Sequence, residues 1–216
     1  MQMTLGHAMR PFQPFPGSRP PCGDGWLCLQ KGSTIRIMLA DGMGHGARAH
    51  QIVSELSRGL AWIGQRSSTL LPLADCMRSL HSLLQQQGSQ AQACVALLDV
   101  DLEAGLIRCL NVGNIQVLVH APERSRALVN LAGMVGGHLS RSLRVSEMTI
   151  APGSLLSLCS DGIESKTARD CLLSIQQRGM CGPLDLQQEA ELLLQQTAKS
   201  SDDASCVLAH LDRREP

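Results

Sequence analysis

The chain has 216 residues, 44% of them hydrophobic and 18% charged, and its 19 basic and 19 acidic side chains leave a formal net charge of zero. That is room for one domain with a sizeable core, and it excludes a disordered chain. Only Phe12, Phe15, Trp26 and Trp62 are aromatic. With neither stacking rings nor a basic face to bind nucleic acid, the expected partner is a protein or a small molecule.

Prolines 11, 14, 16, 20 and 21 make residues 1–20 read as an extended Pro-rich segment. One domain is expected over residues 21–211, followed by a short tail, 212–216. The first twenty residues lack the apolar stretch of a secretory signal, and no apolar run reaches the ~20 residues needed to span a bilayer. A soluble cytoplasmic protein is therefore expected.

Residues 26–30 and 34–40, joined by Lys31-Gly32-Ser33, predict a hairpin whose second strand runs into Asp41-Gly42-Met43-Gly44-His45-Gly46. From Ala47 the period turns helical, with Ile52, Leu56, Leu60 and Ile63 on one face. A second helix is predicted over 73–87, with Leu73, Met77, Leu80 and Leu84 inward and Pro72 near its start. Strands follow at 91–100, 106–112 and 115–120, then at 126–131, 143–150 and 154–160. Helices are predicted at 167–177 and 185–199, and a strand at 206–211 closes the chain. Runs of strands separated by two groups of helices predict an α+β fold: two packed antiparallel sheets with helices outside.

The nine cysteines are odd in number and fall singly, with no Cys-x-x-Cys pair. They read as reduced thiols packed like small hydrophobes. None has an arginine six positions on, as a thiol phosphatase requires; Cys171 to Arg178 is one residue too long. Leu97-Leu98-Asp99-Val100-Asp101 approaches the Asp-x-Asp motif of haloacid-dehalogenase-like phosphatases, but Glu103 stands where Thr or Val belongs. Asp99–Gly105 is read as a hairpin turn.

Asp41 and Asp161 each end an apolar run, and Asp202 immediately precedes a third. Gly42 and Gly162 follow their aspartates, where a missing side chain lets backbone approach a ligand. Three carboxylates at one sheet edge repel one another unless neutralised. An all-oxygen donor set of this kind favours magnesium or manganese. Each feature alone is weak, since Asp-Gly is above all a turn dipeptide.

Taken in order, Cys22-Gly23-Asp24-Gly25-Trp26, Ala40-Asp41-Gly42-Met43-Gly44-His45-Gly46, Asn111-Val112-Gly113-Asn114, Ser160-Asp161-Gly162-Ile163 and Asp202-Asp203-Ala204-Ser205 resemble the motifs of the metal-dependent (PPM, type-2C-like) protein phosphatases. Within that family they are similar to the bacterial SpoIIE branch and its stand-alone RsbX-like members, over about residues 21–211. The resemblance implies an αββα sandwich with two Mn2+ or Mg2+ ions at one end. Asp41 would bridge both ions and the Gly42 carbonyl would bind one. Asp161 and Asp202 would complete the other shell, with Asp24 at the same centre as a ligand or holding a metal-bound water. The implied reaction is attack of an activated water on phosphoserine or phosphothreonine, without a covalent intermediate.

Eukaryotic type-2C relatives carry a histidine where this chain has Met43, so no general acid is assigned. His45 is expected to cap the helix or contact the loop. Arg19 is read as a phosphate contact or a surface charge. The implied partner is a phosphorylated STAS-domain regulator of a partner-switching or stressosome pathway, met by a polar contact loop over residues 163–185. The alternative is a catalytically inactive phosphatase-like binding module.

Overall fold

The computed structural model describes residues 1–13, 15, 17, 18, 20–122 and 124–212, so Arg19 lies outside the described residues. The chain runs through β1 (Gln2–Arg10), β2 (Asp24–Lys31), β3 (Thr34–Gly42), α1 (Ala47–Gln65), α2 (Leu73–Gln86), β4 (Ala93–Asp101) and β5 (Leu106–Val112). It continues through β6 (Gln116–His120), β7 (Ser125–Ala127), β8 (Asn130–Leu131), β9 (Ser146–Thr149), β10 (Leu155–Cys159), α3 (Ser165–Cys181), α4 (Leu186–Thr197) and β11 (Ala204–Asp212).

One sheet has the order β2-β3-β4-β5-β8, with β9 also on β5, and the other has the order β1-β11-β10-β6-β7. Every pairing among the described strands is antiparallel except the two-residue β5–β8 ladder, which is parallel. Alternation along the strands sorts side chains into layers. On β3, Ile37 and Leu39 point between the sheets, where they meet Val117, Leu158 and Val207. Met38 and Ala40 point outward, into a layer with Ile52 and Leu56 of α1 and Met77 and Leu80 of α2. The second sheet buries Leu155, Cys206 and Leu208 against Leu172 and Ile175 of α3 and Leu193 of α4. The result is an αββα stack with three apolar layers. Leu39, Leu56 and Leu158 are fully buried, each contributing about 1.5–3 kcal/mol.

Residues 1–20 contain a strand that the Pro-rich reading did not anticipate. β1 pairs with β11 along its whole length, so the first ten residues complete the second sheet. Its helix-facing positions are Gly6 and Ala8, whose small size lets α4 press against the strand; a Cβ at Gly6 would overlap the Leu186 carbonyl. Small residues carry little hydrophobic signal. The 126–131 segment is split into β7 and β8, and 143–150 yields only the four residues of β9. Most of 163–185 is helix α3 rather than a contact loop, opened by Glu164, whose carboxylate accepts from the Lys166 and Thr167 amides. Asp99 belongs to β4, not to a turn, and faces Arg36 across the β3–β4 ladder.

Candidate metal centre

The ends of four strands place the sequence-predicted aspartates together. Asp24 opens β2 and Asp41 is the last residue but one of β3, and the ladder sets them directly opposite each other. Asp161 follows β10 and Asp202 precedes β11; these strands pair with Cys159 opposite Cys206, which brings both aspartates to one end of the second sheet. The sheets are joined there by Ser205, whose amide donates to Ser160 Oγ at 3.0 Å and whose hydroxyl donates to Asp24 Oδ2 at 2.7 Å. Asp24 is buried, Asp41 and Asp202 half-buried, and Asp161 exposed, so the cluster opens to solvent on the Asp161 side.

Its electrostatics are those of uncompensated charge. Burial pushes the Asp41 carboxyl up to about 8, with further repulsion from Asp24, Asp161, Asp202 and Asp203. Asp24 is pushed up to about 6, first by burial and then by Asp203 and Asp161, against the lowering effect of hydrogen bonds from Ser205 and Ser160. Among the described residues, none of these five carboxylates forms an ion pair.

The glycines have steric reasons. A Cβ on Gly42 would lie 2.6 Å from the Ala49 carbonyl oxygen, and one on Gly162 would overlap the carbonyl oxygen of Asp203. The close approach of α1 and of the 203–204 backbone thus requires a bare backbone at both aspartate turns. Gly46, the residue before α1, has φ 72°, a conformation other side chains rarely adopt. His45 does not cap the helix; its ring meets the Phe12 ring edge-on at 5.0 Å, in line with the expected loop contact.

Three residues given no role from sequence also serve the cluster. Asn114 Nδ2 donates to Asp161 Oδ2 at 2.7 Å, and Lys199 Nζ donates to the Asp161 carbonyl at 2.6 Å. Asp203 is a fifth carboxylate of the cluster, itself buried, and its Oδ1 accepts from the Phe12 amide at 2.8 Å. The Asn-Val-Gly-Asn and Asp-Asp pieces of sequence held the signal for Asn114 and Asp203. Lys199 had none. The nine thiols are free; Cys22 and Cys94 border the cluster, and burial pushes the Cys22 thiol up to about 12, helped by Asp24 and Asp203.

Among the described residues, no three His, Cys, Asp or Glu side chains stand close enough together to enclose a metal ion. The donor set nonetheless fits a hard divalent cation. It consists of carboxylates and a backbone carbonyl, and a bound cation would offset both the burial and the mutual repulsion that raise Asp41 and Asp24. A groove of about 700 Å³, lined by Lys31, Thr34, Leu71, Asp99 and Arg108 among others, opens at the opposite end of the sandwich. Its carboxylates Asp99 and Glu147 are paired with Arg36 and Arg108, so it lacks the charge imbalance of the aspartate end.

The sequence profile of Stage II sporulation protein E (SpoIIE) matches residues 31–212. The chain belongs to the SpoIIE family. Among the curated proteins, none matches it in sequence. Of solved structures, a chain from the bacterial stressosome aligns with TM-score 0.81 and 21% identity, over 97% of this chain and 100% of that one. The PP2C phosphatase domain with a regulatory-domain fragment of SpoIIE from Bacillus subtilis aligns with TM-score 0.77 and 21% identity, over 100% of this chain and 64% of that one. RsbX in complex with magnesium gives TM-score 0.75 and 17% identity, over 97% of this chain and 96% of that one. At these identities the likeness is one of fold, and it agrees with the α+β sandwich. Among the described residues, no helix is long and apolar enough to cross a membrane.

Proposed function

We propose that this SpoIIE-family chain is a metal-dependent protein-serine/threonine phosphatase. The observation that carries the proposal is the pooling of five carboxylates at one end of the sandwich, with Asp41 pushed up to about 8 and no ion pair to relieve it among the described residues. Asp41, the Gly42 carbonyl, Asp161 and Asp202 would hold two manganese or magnesium ions, with Asp24 a fifth ligand or a partner of bound water. When bound, these ions would lower the pKa of a water and offset charge on the phosphoryl oxygens. Ser205 holds the Asp24 carboxylate and Asn114 the Asp161 carboxylate, so two of the donors are oriented before any ligand arrives. Exposed Asp161 marks the side from which a phosphorylated side chain would enter.

The substrate we infer is phosphoserine or phosphothreonine on a STAS-domain regulatory protein of a partner-switching or stressosome pathway, in the cytoplasm. Support comes from likeness to RsbX and to a stressosome chain. The competing reading, an inactive binding module, has in its favour that no three of the aspartates are close enough to enclose an ion. Phosphate release from a phosphorylated STAS protein, measured with manganese and again after excess chelator, separates the two. Release that stops on chelation and is absent in Asp41→Asn supports the phosphatase. Binding of the phosphoprotein without release supports the module.

A further inference from the structure

The segment leaving β1 passes the candidate centre before it reaches Asp24, and Asp203 is where the two meet. Asp203 is 3% exposed. Its Oδ1 accepts the Phe12 amide at 2.8 Å, while its Oδ2 is buried with no hydrogen-bond partner among the described residues. That second oxygen lies 2.7 Å from where a Cβ on Gly23 would stand, one residue before Asp24. The Asp203 amide donates to Asp202 Oδ1 at 2.9 Å, and its carbonyl fills the space a side chain on Gly162 would need, beside Asp161. One residue therefore touches the chain next to Asp24, Asp161 and Asp202 alike. The same segment is held twice more, by the Arg10 guanidinium donating to the Lys199 carbonyl and by the Phe12 ring against His45.

We propose that Asp203 is a positioning residue that ties the segment Arg10–Phe12 to the aspartate loop and thereby fixes the carboxylates of Asp24 and Asp202 for a divalent cation. The proposal rests on the metal-dependent reading above. Asp203 acts through the Phe12 amide and its neighbours rather than on substrate. Partners that orient a ligand set in this way typically change metal affinity by about 10–100-fold when removed. In this arrangement β1, at the edge of its sheet, becomes part of the machinery. A displacement of the first strand would be felt at the ligands through the Phe12–Asp203 hydrogen bond.

The test is manganese titration of the metal-free full chain, followed calorimetrically, in four variants. Asp203→Ala removes the acceptor, whereas Asp203→Asn keeps an oxygen for the Phe12 amide and removes only the charge. Phe12→Pro removes the amide donor without touching the aspartate loop, and Phe12→Ala removes the ring alone. Asp203→Ala and Phe12→Pro should each weaken manganese binding about tenfold or more, while Asp203→Asn and Phe12→Ala stay within about threefold. Hydrogen exchange of the Phe12 amide in the metal-free protein should quicken at least about tenfold in Asp203→Ala and little in Asp203→Asn. Should Asp203→Ala fail to fold, the two Phe12 variants decide. Wild-type affinity in Phe12→Pro, or equal losses in Asp203→Asn and Asp203→Ala, overturns the tie. A wild-type chain that takes up no manganese sinks the metal-dependent reading instead, which a wild type that binds normally leaves standing.

Discussion

Strand β3 carries a charged side chain toward each end, and the two have opposite surroundings. Arg36 is 1% exposed and donates to both oxygens of Asp99, at 2.6 and 2.7 Å, with the Leu71 carbonyl accepting at 2.7 Å. Five residues on, about 17 Å at ~3.4 Å per residue, Asp41 faces Asp24 across the ladder and feels three more carboxylates. Both ends bury charge. One end neutralises it within the fold, and the other has no ion pair to neutralise it among the described residues. Like charges directly opposite each other on a ladder destabilise a sheet, so the aspartate end has a cost that folding alone does not explain. The comparison teaches that balance, rather than burial, separates architectural charge from functional charge.

The largest effects should come from breaking each end in turn. On the proposed function, Asp41→Asn should lower phosphatase turnover about 10³-fold or more, the several kcal/mol that losing a ligand proposed to hold both ions would cost. Unfolding stability in metal-free buffer should stay level or rise, because the cost of burying that carboxyl beside its neighbours is gone. Arg36→Met should do the reverse. It strands Asp99 and should cost about 3–5 kcal/mol of stability by denaturant titration, with turnover per folded molecule little changed. Adding Asp99→Leu to Arg36→Met should return most of that loss, as replacing both members of a buried pair usually does. Equal stability losses in Asp41→Asn and Arg36→Met would erase the distinction.

A smaller effect is the pH dependence of the metal-free protein. Asp41 and Asp24 are raised from 3.8 to about 8 and about 6, so the folded state holds protons that the unfolded state has released. Stability from these groups is fully present below about pH 4 and is lost as pH rises toward about 8. Glu164 works in the other direction: its cap holds it down at about 2 against an ordinary 4.5, so its contribution disappears only on the acid side. Denaturant midpoints in chelator should therefore fall between about pH 5 and about pH 8, and saturating manganese should flatten the slope. A rising midpoint over that window without metal would contradict the charge surplus at the aspartate end.

The two ends also differ in how legible they are in the amino-acid sequence. Asp41, Asp161 and Asp202 stand where apolar runs stop or start, so strand ends and the Asp-Gly dipeptides announce them from local pattern alone. The unbroken apolar run Ile37-Met38-Leu39-Ala40 likewise fits a strand buried on both faces. Asp99 lies inside an apolar run, and only the β3–β4 register shows that Arg36 answers it. β1 is hidden because Gly6 and Ala8 carry its helix-facing side, and small residues leave no hydrophobic period. Lys199 is invisible for a related reason: its bond goes to the Asp161 backbone, and nothing in a lysine's local sequence encodes a carbonyl 38 residues away. What depends on local pattern is legible; what depends on register or on long-range backbone contacts is not.

The smallest expected effect concerns the thiols, and it probes how far the surplus charge reaches. Cys22 borders the aspartates and is pushed up to about 12, by burial first and then by the negative charge of Asp24, with Asp203 adding to it. Thiolate is the reactive form, so at neutral pH Cys22 should alkylate slowly despite being only half-buried. Cys181 is the exposed thiol and should react first. It sits at the far end of α3 from the Asp161 turn, about 25 Å along a 17-residue helix, so its modification should leave turnover within about twofold. Mass spectrometry of the iodoacetamide-treated protein should find Cys181 labelled and Cys22 largely unlabelled while activity persists. Neutralising part of the surplus, as in Asp203→Asn, should speed Cys22 labelling modestly, because burial still dominates. Rapid labelling of Cys22 in the wild type with loss of turnover, prevented by a phosphorylated substrate, would mean that the aspartate end does not hold its neighbouring thiol protonated.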